Sequence, residues 1–126
     1  MSALQFSFTC HGVEQMEPNA PLQIMDLSHS WRITGAKEPG FSFIVVTGWL
    51  DVPGVTVDEH IEIVGESGQV VAMSPTTRRD QTTGKDGRAI ILTLMTIDPD
   101  AVSAGRYLVQ VFSGREMKLE YPIDLQ

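Results

Sequence analysis

Asp58, His60 and Glu62 stand at alternate positions of one short run, VTVDEHIEIV. On a β-strand the three share a face, with alternate Cβ atoms about 7 Å apart. Two of them, with His11 or His29 from another segment, could approach a divalent metal. Zinc sites need three or four converging ligands, and nothing in the spacing brings the others to this strand. The run therefore reads as a solvated polar face opposite a core. Its other face carries Val57, Ile61 and Ile63, with Glu59 among them.

The remaining chemical candidates are weaker. Asp98 and Asp100 make a D-x-D turn with too few further oxygen ligands for a calcium loop. Cys10 and His11 are adjacent, so on a strand they point to opposite faces and cannot form a nucleophile–base pair. A buried cysteine is the plainer reading. Ser67 lies in G-E-S-G, which is not a nucleophile elbow. Gly84-Lys85 lacks the upstream glycine and following hydroxyl of a phosphate loop. No catalytic constellation, metal or cofactor is expected.

Binding is the alternative to catalysis. The stretch 74–88, SPTTRRDQTTGKDGR, holds Arg78, Arg79, Lys85 and Arg88 against two acidic residues, whereas the rest of the chain holds five basic residues against fourteen acidic ones. Such a loop is either a soluble connection or an arm that docks on an acidic partner, and long loops are often functional. Trp31 and Trp49, with Tyr121, could instead form a stacking platform for a small ligand or carbohydrate, although core packing is the default for tryptophan.

The elements that would position these residues follow a period of two. Leu4, Phe6 and Phe8 alternate with Gln5 and Ser7, so the N-terminus reads as a strand with one buried face. Between Leu22/Ile24 and Leu27/Trp31/Ile33 the parity changes, which a bulge, a helical turn or two separate pieces would explain. FSFIVVTGWL (41–50) and AIILTLMTI (89–97) are apolar on both parities, as expected of strands covered on both sides or covered by a partner subunit. Gly48 inside the first suggests a bulge or a close backbone approach. VTVDEHIEIV and QVVAMS flank Gly-Glu-Ser-Gly as a hairpin. In the closing strand Met117, Leu119 and Tyr121 share a face, and Pro122 confines its end to an edge or a bulge.

Seven to eight antiparallel strands with short turns and no persuasive helix predict an all-β sandwich. The 126 residues favour one domain spanning 1–126. A hydrophobic fraction of 42% and a charged fraction of 20% are those of a globular chain. The single cysteine excludes an internal disulfide, and MSALQFSFTC has neither the basic start nor the apolar run of a signal peptide. A cytoplasmic protein is expected. The net charge of −7 opposes a nucleic-acid backbone or an anionic membrane as main partner.

The step DPDAVSAGRYLVQVF resembles the tyrosine corner of immunoglobulin-like sandwiches. The resemblance makes Tyr107 the corner residue, a phenol packed in the core whose hydroxyl bonds upstream backbone. Val109 stands where antibody domains have cysteine, so their disulfide is absent. More broadly, TCHGVE, FIVVTGW, HIEIVGESGQVV, GRYLVQVF and YPIDL resemble an uncharacterised family of small bacterial all-β proteins. This implies an immunoglobulin-like sandwich of bacterial or phage origin and no particular activity. The expected function is a non-catalytic interaction or structural module, binding a protein partner or a second copy of itself as a homodimer.

Overall fold

A computed structural model describes residues 3–17, 21–32, 41–50, 57–75, 77–79 and 88–126. Among these residues ten strands follow one another: β1 (Ala3–Glu14), β2 (Gln23–Leu27), β3 (Ser30–Trp31), β4 (Phe41–Leu50), β5 (Val57–Val64), β6 (Val70–Met73), β7 (Thr77–Arg79), β8 (Arg88–Ile97), β9 (Gly105–Ser113) and β10 (Glu116–Leu125). Periodicity predicts seven or eight; β3 and β7, two and three residues long, are too short to show a period. Among the described residues there is no α-helix, and no helix is long and apolar enough to cross a membrane.

The strands form two sheets. One has the order β2-β1-β4-β8, the other β3-β10-β9-β5-β6 with β7 also paired to β5. All pairings are antiparallel except β3 with β10. Alternation along β4, β5, β8, β9 and β10 aims Phe43, Val45, Trp49, Ile61, Ile63, Ile91, Met95, Ile97, Val109, Val111, Ile123 and Leu125 into the space between the sheets. An all-β, two-sheet architecture is therefore what the period-two pattern builds.

The parity change between Ile24 and Leu27 is resolved as two pieces: β2 belongs to the first sheet and β3 to the second. Asp26 takes φ +52° near the end of β2. The chain then crosses between sheets through Ser28, whose amide donates to the Thr9 carbonyl, and His29, whose carbonyl accepts from the Asp124 amide.

Two bulges correct the predicted strand faces. The register of β1 against β4 shifts between Leu4 and Phe6. Leu4 consequently packs on the core beside Trp49, while Phe6 is 40% exposed on the opposite face. A second shift between Met117 and Leu119 leaves Met117 outward opposite Phe112, with Leu119 inward. An extra residue in a strand reverses the side-chain parity beyond it, which simple alternation cannot anticipate.

The β5–β6 hairpin forms as expected, closed by Gly65 and Gln69 with Gly68 at φ +86°. The stretch 74–88 is not wholly loop, because β7 pairs with the first part of β5. Between β6 and β7, Ser74 patches the ladder: its amide donates to the Ile61 carbonyl and its hydroxyl accepts from the Ile61 amide at 2.8 Å. Among the described strands only β9 lies beside β10 at Pro122, since β3 pairs with Asp124 and Leu125. The missing amide of proline costs no ladder bond there.

The Asp-Pro-Asp step is a single 3-10 turn, Pro99–Ala101, capped by Asp98, whose carboxylate accepts from the Asp100 amide. Beyond it Gly105 takes φ +157° and Tyr107 enters the core at 6% exposure. The Tyr107 hydroxyl donates to the Ser103 carbonyl at 2.9 Å and accepts from the Ser103 amide at 3.2 Å. One phenol thus ties the crossover between sheets to the core.

Candidate functional site

Three features stand out beyond the packed interior: a buried polar layer, a polar groove and an apolar outer face.

The polar layer lies between the sheets. Glu59, on the inward face of β5, is 1% exposed. Its carboxylate accepts from the Thr47 hydroxyl at 2.5 Å, the Trp49 indole N–H at 2.7 Å and the Thr93 hydroxyl at 3.4 Å. Ser7 and Tyr121 share a hydroxyl hydrogen bond at 2.9 Å nearby. Burial pushes the Tyr121 phenol up to about 12; the Glu59 carboxylate adds to the rise and the Ser7 bond opposes it. Desolvation and a like-sign neighbour both disfavour the phenolate. This layer joins β1, β4 and β8 of one sheet to β5 and β10 of the other. Buried polar groups persist only when hydrogen-bonded, so the arrangement fixes how the sheets sit on each other. Nothing about Glu59 in the sequence separates it from a misplaced surface acid except its place in the apolar parity of β5.

The indoles proposed as a ligand platform belong to the interior. Trp49 is 1% exposed and committed to Glu59. Trp31 is half-buried, stacked on Phe43 at 5.4 Å, and its N–H donates to the Thr9 hydroxyl. Trp49 thus offers no ring face for stacking, and Phe43 takes one face of Trp31. Of the basic set, Arg78 and Arg79 lie on β7 opposite Asp58 and Val57, and Arg88 opens β8 opposite Leu50. Lys85 lies outside the described residues.

Asp58, His60 and Glu62 are half-buried on the outer face of the second sheet, where His60 stacks on Phe112 at 4.5 Å. Among the described residues no three His, Cys, Asp or Glu side chains converge as a metal would require. Cys10 is buried and His11 exposed. Burial pushes the Cys10 thiol up, against a weaker opposing bond to the Gly12 backbone, and a protonated thiol is a poor nucleophile.

The groove, about 350 Å³, runs between the β5–β6 turn and the Tyr107 corner, lined by Glu66, Ser67, Gln69 and residues 103–107. It holds no converging set of charged groups.

The outer face of the first sheet is different. Strand register sets three rows across it: Phe6, Gly48, Ile90; then Phe8, Val46, Leu92; then Cys10, Ile44, Leu94. Ile90 is 45% exposed, Leu92 37% and Leu94 65%. Phe6 stacks on Phe8 with centroids 6.0 Å apart. Its ring covers Gly48, where a Cβ would come within 2.2 Å of it. That explains the glycine as a close approach, to an aromatic ring from the neighbouring bulged strand. Val46 and Cys10 are buried in this face although neither belongs to the inner core. On β2, Leu27 at 63% and Met25 at 40% extend the apolar surface. Among the described residues the second parity of β8 is thus left exposed, while that of β4 is buried at Val46 and half-buried at Ile44 and Leu50.

Comparison of the chain with protein-family models and with curated proteins gives no match.

Proposed function

We propose that this chain is a non-catalytic protein-interaction module, an immunoglobulin-like sandwich whose contact surface is the outer face of the β2-β1-β4-β8 sheet. The observation that carries it is the run Ile90, Leu92 and Leu94, 37% to 65% exposed, beside Phe6 at 40%. Contiguous apolar patches of more than a few hundred Å² on a folded domain commonly mark an interaction site. No charged residue type occupies the outward positions Phe6–Cys10, Ser42–Gly48 or Ile90–Thr96.

The immunoglobulin-like assignment is supported by the connections. In that scheme β1, β4 and β8 take the places of strands A, B and E, and β5, β9 and β10 those of C, F and G. The chain changes sheet between β4 and β5 and again between β8 and β9, and Tyr107 closes the second crossing. Bacterial or phage origin and a cytoplasmic setting rest on the sequence reading alone. The small-ligand alternative is less well supported, since Trp49 is buried against Glu59 and Trp31 is stacked on Phe43.

A photo-crosslinking residue in place of Leu94 tests the reading. In extract of the source organism it should yield a discrete protein adduct, while the same residue in place of Glu120, on the outer face of the other sheet, should not. Equal or absent adducts at the two positions would reject this face as the contact.

A further inference from the structure

Resting on the interaction reading just given, we infer that the occupant of the outer face is a second copy of this chain, packed sheet on sheet about a two-fold axis.

Size is the first argument. From Leu50/Arg88 to Phe41/Ile97 the β4–β8 register runs without a shift over ten residues, which is about 33 Å of strand. Three strands at about 4.8 Å spacing make the face about 14 Å wide, and β2 widens it only beside Cys10–Glu14. The projected area is on the order of 500 Å², somewhat over half of the roughly 800 Å² of accessible surface that each partner gives to a standard interface.

Complementarity is the second. A two-fold contact brings the same patch against itself, so like charges within it would oppose pairing. The chain carries net −7, yet the described outward positions of β1, β4 and β8 between Phe6 and Leu94 are uncharged in residue type. Arg88, opposite Leu50, and Glu14, opposite Gln23, hold the same parity at the two ends of the face, and the rest of the acidic excess lies elsewhere. Exposure is concentrated on the edge strand: Leu92 and Leu94 are 37% and 65% exposed, whereas Val46 on the central strand is 2% exposed. Two apolar sheets packed face to face lie about 10 Å apart.

Pairing of two β8 edges would use backbone groups that no described strand bonds, but it would leave Ile90, Leu92 and Leu94 facing water on a wider sheet. Face-to-face packing is the arrangement that removes those side chains from solvent.

The test is sedimentation equilibrium of the full purified chain between about 1 and 100 µM. The expected mass is twice 13.9 kDa, with Leu94→Glu reduced to a monomer and Glu66→Lys, on the β5–β6 turn, still a dimer. At 65% exposure Leu94 can accept Glu without unfolding; fluorescence of the buried Trp49 confirms that the variant is folded. If the glutamate proves disruptive, Leu94→Ser replaces it, with dimerisation weakened at least tenfold expected. A dimer indifferent to both substitutions overturns the proposal, because its contact lies elsewhere. A wild-type monomer at 100 µM overturns it too. Where that monomer still gives the Leu94-specific adduct with another protein, the interaction reading stands and only the second copy falls; where it gives none, both fall.

Discussion

Tyr107 and Tyr121 carry similar phenols into the same core and are unequally legible in sequence. Tyr107 follows a glycine and an acidic turn, a local pattern with a known physical use, and its hydroxyl bonds Ser103 four residues upstream. Tyr121 bonds Ser7, from the other end of the chain, and no local pattern reports such a contact. Glu59 is hidden for the same reason: its donors Thr47, Trp49 and Thr93 come from the opposite sheet. Tyr121 nevertheless makes a measurable prediction. Its folded value, about 12, lies above the unfolded value of about 10. The protonated phenol therefore stabilises the fold fully below pH about 10, and that contribution disappears as pH rises through about 12. Urea titrations from pH 9 to 12 should show the wild type losing about 2 kcal/mol more than Tyr121→Phe over this range. Parallel losses in the two proteins would contradict the perturbation.

At the scale of elements, alternation locates β4, β5, β8 and β9 and most of the inward residues. It fails at β1 and β10, where single-residue bulges reverse parity after Leu4 and after Met117. It fails also at β7, whose three residues pair with β5 inside a stretch polar enough to read as loop. Gly48 reads as a special position, but the ring it accommodates belongs to another strand. That pair can be tested. A methyl at position 48 would lie 2.2 Å from the Phe6 ring, and the ring, 40% exposed, can move only by leaving its stack on Phe8. Gly48→Ala should cost about 1–2 kcal/mol of stability, as overpacking does. In the Phe6→Ala background the same substitution should be nearly neutral or stabilising. The coupling from the double-mutant cycle should thus be about 1 kcal/mol or more; additive costs would mean that the ring does not occupy the space above Gly48.

For the whole molecule, two surface features give opposite expectations. The basic stretch 74–88 invites attraction between unlike charges, which salt weakens. The apolar face of the first sheet invites contact in which charge only opposes, since each copy carries −7. Sequence already holds both signals, in the charge contrast and in the double parity of 41–50 and 89–97; ranking them requires knowing which side of β8 faces inward. With Ile91, Met95 and Ile97 inside, Ile90, Leu92 and Leu94 must face out. Salt then separates the mechanisms. The Debye length falls from about 20 Å to about 4 Å between about 0.02 and 0.5 M salt, so repulsion between two acidic bodies is largely removed, while an uncharged contact loses nothing. The dimer should tighten by about threefold to tenfold over that range. Sedimentation at the two ionic strengths measures it directly. A contact built on Arg78, Arg79, Lys85 and Arg88 would loosen instead, and that result would move the interface from the sheet face to the basic stretch.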